Sequence, residues 1–70
     1  MDLENEIKWY TDAVRSDLIL NQGLTTEAAD AAMERYMLKE KLEEYPDVQL
    51  HYSISSTTRE MRELGYLTVV

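Results

Sequence analysis

Apolar residues recur along the first third of the chain at the spacing of one helical face. Leu3, Ile7, Tyr10, Val14 and Leu18 follow one another at intervals of four, three, four and four, the stripe of an amphipathic helix. The pattern predicts a helix from Leu3 to Asn21. Asp2 stands where an N-cap belongs, and Glu4 and Glu6 suit the positive end of the helix dipole. Gly23 supplies the stop, because it tolerates the left-handed conformation on which helices often end. Thr25 or Thr26 can cap a second helix with Glu27 and Asp30 in its first turn. The run from Ala28 to Tyr45 is rich in strong helix formers, and Pro46 closes it. A connection of only about four residues makes the two helices antiparallel neighbours, a helical hairpin.

The second helix carries two apolar stripes rather than one. Leu24, Ala28, Ala31, Leu38, Leu42 and Tyr45 fall on one line, interrupted by Arg35; Ala29, Met33, Tyr36 and Met37 fall on the line beside it. A helix packed against one neighbour needs a single stripe. The expectation is that this helix touches two things: the first helix, and either the C-terminal segment or a second copy of the chain.

The C-terminal third supports two readings. Val48, Leu50, Tyr52 and Ile54 alternate with Gln49, His51 and Ser53 as in a strand. Leu50, Ile54, Thr57, Met61 and Leu64 also fit helical spacing. The reading adopted is a short helix over about Thr57 to Leu64, capped by Ser55 or Ser56 and stopped by Gly65. The fold class is thus mainly α: an antiparallel helical hairpin plus a short C-terminal helix, with room for short β segments at 48–54 and 66–70. Residues 1–70 are expected to form one domain.

Size and charge narrow the function. A chain of 70 residues buries only roughly 60% of its unfolded surface, so its core is small. Cysteine is absent and His51 is the only histidine, which removes disulfides and thiolate metal sites as supports. Self-association or docking on another protein is the expected extra stabiliser. The formal charge is −7. It divides as −3 over residues 1–22, −4 over 23–47 and zero over 48–70. An acidic surface repels nucleic acid and anionic membranes and attracts a basic protein surface. The longest apolar run, around Leu18-Ile19-Leu20, is far shorter than the roughly 20 residues that cross a bilayer. The N-terminus lacks the basic start and apolar stretch of a secretory signal, so the expected location is cytoplasmic.

Candidate chemistry is sparse. His51, Ser53 and an acid could form a triad on paper, but nucleophile elbows and glycine-rich loops are missing. Glu40, Glu43 and Glu44 cluster without a histidine nearby, unlike dinuclear carboxylate sites. The chain is therefore read as non-enzymatic, without metal or cofactor. The expected function is a protein–protein interaction module: a small acidic adaptor, inhibitor or regulator that self-associates and docks through Trp9, Met33, Tyr36 and Met37. Aromatic residues are enriched among interface hot spots, and methionine adapts to partner surfaces. A structural homo-oligomer is an alternative.

The segment Ser55-Ser56-Thr57-Thr58-Arg59-Glu60-Met61-Arg62-Glu63-Leu64-Gly65-Tyr66-Leu67 resembles the recognition helix and wing onset of winged-helix regulators. That resemblance implies nucleic-acid contact through Arg59 and Arg62, although Arg59 occupies a position where the family usually has an apolar residue. The first 45 residues resemble the helical hairpins of small bacterial phosphatases that dock on response regulators. Their acidic signature is missing from Arg35-Tyr36-Met37-Leu38-Lys39, so this resemblance implies docking on a protein and not phosphatase activity.

Overall fold

The computed structural model describes residues 2–67, in which five helices enclose one apolar core. The first, α1, runs Leu3–Leu20. Asp2 caps it by accepting the Asn5 backbone N–H at 2.9 Å. Tyr10, Val14 and Leu18 of the expected stripe are buried, with Ile7 packed at their edge. Gly23 turns the chain at φ 73°, and the Leu24 N–H closes on the Leu18 carbonyl at 3.1 Å. The second helix, α2, runs Thr26–Tyr36 and is capped by the Thr25 hydroxyl, which accepts the Ala28 N–H at 3.1 Å. It folds back on α1, and the Arg15 Nε–Asp30 Oδ1 ion pair at 2.7 Å links the two.

The expected single helix from Ala28 to Tyr45 is broken at Met37. There the backbone is left-handed, at φ 61° and ψ 41°, and a new helix, α3, runs Leu38–Glu44. The sequence pattern holds the reason. Leu38 follows Ala29 by nine residues, which on a continuous helix places it about 180° away. Ala29, Met33 and Tyr36 could then not share a core with Leu38 and Leu42. The break rotates α3 so that all five are buried in the same cluster. A left-handed non-glycine residue costs about 1–2 kcal/mol. Burying two leucine side chains contributes about 1.5–3 kcal/mol each, so burial outweighs the strain. The bend reconciles the two stripes, and the expected pair of neighbours is present as well: α2 packs on α1, and its Tyr36 meets Glu60 and Tyr66 of the C-terminal segment.

Pro46 begins a one-turn helix, α4, Pro46–Gln49. Proline suits the first helical turn and keeps Tyr45 out of the helical region, here at φ −131°. Residues 48–54 form no strand. Gln49 N–H bonds to the Tyr45 carbonyl at 2.9 Å, Leu50 N–H to Pro46 at 3.0 Å and Tyr52 N–H to Gln49 at 3.2 Å. These local bonds satisfy the backbone without a pairing strand, and the alternation of the sequence goes unused. The last helix, α5, runs Ile54–Glu63. It starts a turn earlier than expected because Ser53, rather than Ser55 or Ser56, is the cap; its hydroxyl accepts the Ser56 N–H at 3.1 Å. Gly65 ends it as expected. The Tyr66 N–H bonds to the Met61 carbonyl and the Gly65 N–H to Arg62, each at 3.0 Å, the paired bonds of a glycine-terminated helix. Tyr66 and Leu67 lie in turn rather than strand; the remainder of the 66–70 segment lies outside the described residues. All secondary structure among the described residues is helical.

Candidate docking surface

A polar cluster inside the core fixes where the surface lies. Tyr10 of α1 reaches between α4 and α5. Its phenol O–H donates to the Tyr52 carbonyl at 3.1 Å, and its oxygen lies against Thr57 Oγ1. The single phenol proton is thereby used, so the Thr57 hydroxyl donates to Tyr10. The Gln49 amide nitrogen donates to Thr57 Oγ1 at 3.3 Å and, more weakly, to the Tyr10 oxygen at 3.5 Å. Among the described residues every buried side-chain nitrogen and oxygen has a partner. A satisfied buried network specifies one arrangement, because breaking any member leaves the others unpaired. This one ties α1, α4, the turn after α4 and α5 together.

The network holds the α4 segment beside the first half of α1 with an open groove between them. One lobe, of about 400 Å³, is lined by Glu6, Trp9, Tyr10 and Leu50. A second, of about 200 Å³, is lined by Leu3, Glu6, Pro46, Asp47, Leu50 and His51. The lobes share Glu6 and Leu50. Trp9, Tyr45, Val48 and Tyr52 are large apolar or aromatic residues left half or more exposed, and Leu3 is nearly so; all come from the two segments that form the groove walls. Single exposed apolar side chains are ordinary; of these five, Trp9 and Leu3 line the groove itself.

The four residues expected to dock divide into two pairs. Trp9 is 66% exposed and lines the groove. Met37 is 54% exposed at the helix break and is not part of the groove lining. Tyr36 and Met33, in contrast, are 4% and 7% exposed and belong to the core. Tyr36 is held on all sides. Its hydroxyl donates to Glu60 Oε2 at 2.9 Å, its ring meets Tyr66 edge-on at 6.2 Å, and the Lys41 ammonium lies 3.4 Å from its ring centre. Burial first, and then the Glu60 carboxylate, raises the Tyr36 phenol pKa above its ordinary value. Both residues follow Ala29 on one helical stripe, and that stripe is the core-facing side of α2. On the surface, the bond to Asp30 raises the Arg15 guanidinium pKa above its ordinary value.

Arg59 and Arg62 are exposed on α5, where Glu60 and Glu63, also exposed, accompany them. Residues 64–67, which the winged-helix resemblance assigns to a wing, are the helix stop and the turns after it. Ser53 is engaged in capping, and His51 is exposed at the groove. Among the described residues no three histidine or carboxylate side chains converge as a metal site, and no helix is long and apolar enough to cross a membrane. The chain matches no family model, and no curated protein or solved structure is detectably similar to it. What fold and surface define is a small all-helical bundle with an apolar groove open to solvent on one side.

Proposed function

We propose that this protein is a non-catalytic interaction module, a small acidic adaptor, inhibitor or regulator that acts by binding another protein. The observation that carries the reading is Trp9. It is the chain's only tryptophan and stands mostly exposed at the mouth of an apolar groove. Tryptophan is the residue type most often found at interface hot spots. The groove is too open, and too poor in converging polar groups, to resemble the enclosed pockets that hold small molecules. In this reading the protein works in the cytoplasm, and its charge of −7 steers it toward a basic partner surface. Contact with nucleic acid through Arg59 and Arg62 is disfavoured, because the two glutamates of the same helix segment cancel their charge.

The test is capture of a binding protein from cell extract by the immobilised chain, with Trp9→Ala and Met37→Ala compared in parallel. Trp9→Ala is expected to weaken retention by tenfold or more while the circular dichroism spectrum stays unchanged, since an exposed side chain contributes little to folding. Equal retention by both variants and the wild type removes the docking role of these side chains. Retention of nothing but further copies of the bait replaces the reading with self-assembly.

A further inference from the structure

We infer that the groove between α1 and the α4 segment seats a basic amphipathic helix of another protein, which inserts an apolar side chain beside Trp9 and a second, one helical turn away, between the apolar and acidic residues of the mixed lobe. The inference rests on the interaction role above and names the kind of partner. Three observations lead to it. First, the groove has two lobes of different character: one is mostly apolar, with Trp9, Tyr10 and Leu50 beside Glu6, and the other mixes Leu3, Pro46 and Leu50 with Glu6, Asp47 and His51. Along α1 the lobe at Leu3 and Glu6 is centred about four residues before the lobe at Glu6, Trp9 and Tyr10. Four residues on a helix span roughly 6 Å. That separation matches side chains at positions i and i+4 of a second helix, which project from one face one turn apart. Apolar grooves with helical walls commonly take such helices.

Second, the rim is acidic. Glu6 borders both lobes and Asp47 borders the second. Asp2 and Glu4 are exposed at the same end of α1, against Lys8 as the local base. The positive end of α1 offsets only about half a charge, so the rim stays negative by more than two charges. Lysine or arginine flanking the two anchors would meet these carboxylates.

Third, the same charge disfavours a second copy in the groove. A two-fold contact brings a surface patch onto itself, so the Glu6 and Asp47 of one copy would face the same acids of the other. Like charges so juxtaposed work against association.

Trp9 serves as its own reporter, because no other tryptophan contributes to the emission. The probes are three synthetic peptides of about 14 residues, near the shortest length at which helices persist. One carries leucines at helical spacing among lysines. A second keeps the leucines and replaces lysine by glutamate. The third keeps the composition of the first but scatters the leucines so that no apolar face forms. The expected result is a saturable blue shift of Trp9 emission with the first peptide alone. Binding of a labelled copy, read by anisotropy, should weaken at least about tenfold in Trp9→Ala and in the double variant Glu6→Lys, Asp47→Lys. The double variant should then favour the glutamate peptide. Equal binding of the scattered peptide reduces the effect to bulk charge and overturns the inference. Equal binding of the glutamate peptide removes the acidic rim, and no shift with any peptide removes the groove. A blue shift on concentrating the chain alone, with dimers in sedimentation, makes a second copy the occupant. Should the extract experiment find a partner that Trp9→Ala still holds, the interaction role stands and this groove does not.

Discussion

Replacing Met37 by glycine should stabilise the protein, the reverse of what glycine does within a helix. Met37 sits at φ 61°, where a side chain's β-carbon crowds the following carbonyl at about 1–2 kcal/mol. Glycine has no β-carbon and relieves that strain. It also gains freedom in the unfolded chain, which works against the folded state by about 0.4–1 kcal/mol. The Met37 side chain is more than half exposed, so its loss removes little burial. The net expectation is a gain of about 0.5–1 kcal/mol, worth a rise in melting temperature of several degrees at about 4–8 °C per kcal/mol for a domain of this size. Met37→Ala is the control, since alanine keeps the β-carbon and should leave stability nearly unchanged. Thermal and urea unfolding of the three proteins decide the matter. In an unbroken helix glycine would instead fall below alanine by about 1 kcal/mol. A destabilised Met37→Gly therefore refutes the break at Met37, and with it the account of how Leu38 and Leu42 reach the core.

Two further outcomes are expected. Tyr10→Phe, which keeps the ring and deletes the hydroxyl shared by Tyr52, Thr57 and Gln49, should cost about 1–3 kcal/mol through the buried groups left unpaired; it should also alter Trp9 emission, because the wall carrying Leu50 loses its tie to α1, and unchanged stability and emission would show the network idle. The Tyr36 phenol is raised in the folded state above its ordinary value of 10.0, so its contribution is complete below that pH and is lost as pH rises above it, where only the unfolded chain ionises freely. Relative to Tyr36→Phe, the stability of the wild type should therefore decline above pH 10 by up to about 1.4 kcal/mol per unit, and a constant difference in urea unfolding from pH 9 to 11 would contradict the burial and the Glu60 bond.

Features set by neighbouring residues were legible in the sequence. The stripe of α1, the Asp2 and Thr25 caps and the two glycine stops each depend on a few adjacent positions, and each is present. The break at Met37 has neither glycine nor proline to announce it. Its trace was the pair of stripes on one helix, which announced two packing neighbours, both present, but not the bend that lets Leu38 and Leu42 join the same core. The alternation at 48–54 misled because a strand needs a pairing neighbour, and the chain satisfied this backbone locally instead. Gln49, one of the polar positions of that alternation, is the buried donor of the network. Trp9 could be singled out because it lies off the main stripe of α1. Its groove could not, because the opposite wall is positioned by contacts among Tyr10, Gln49 and Thr57, up to 47 residues apart.

The distribution of large and small side chains bears on the proposed binding role of the groove. A chain of this length has little apolar surface to spare. Even so, two positions in its core are alanines, Ala29 and Ala32, and its buried polar residues include Gln49, Thr57 and Thr58. Its tryptophan, two tyrosines and a valine stand half or more exposed on the segments flanking the groove, and Leu3 nearly so. At about 25 cal/mol for each Å² taken from water, a partner that covers Trp9 and its neighbours recovers free energy that folding left unused. Selection for stability alone would place such residues inside. The network of Tyr10, Gln49 and Thr57 then has a second consequence. It commits core positions to polar groups and ties the segment carrying Leu50 to α1 and α5, which in the proposed reading holds the groove in shape for a partner helix.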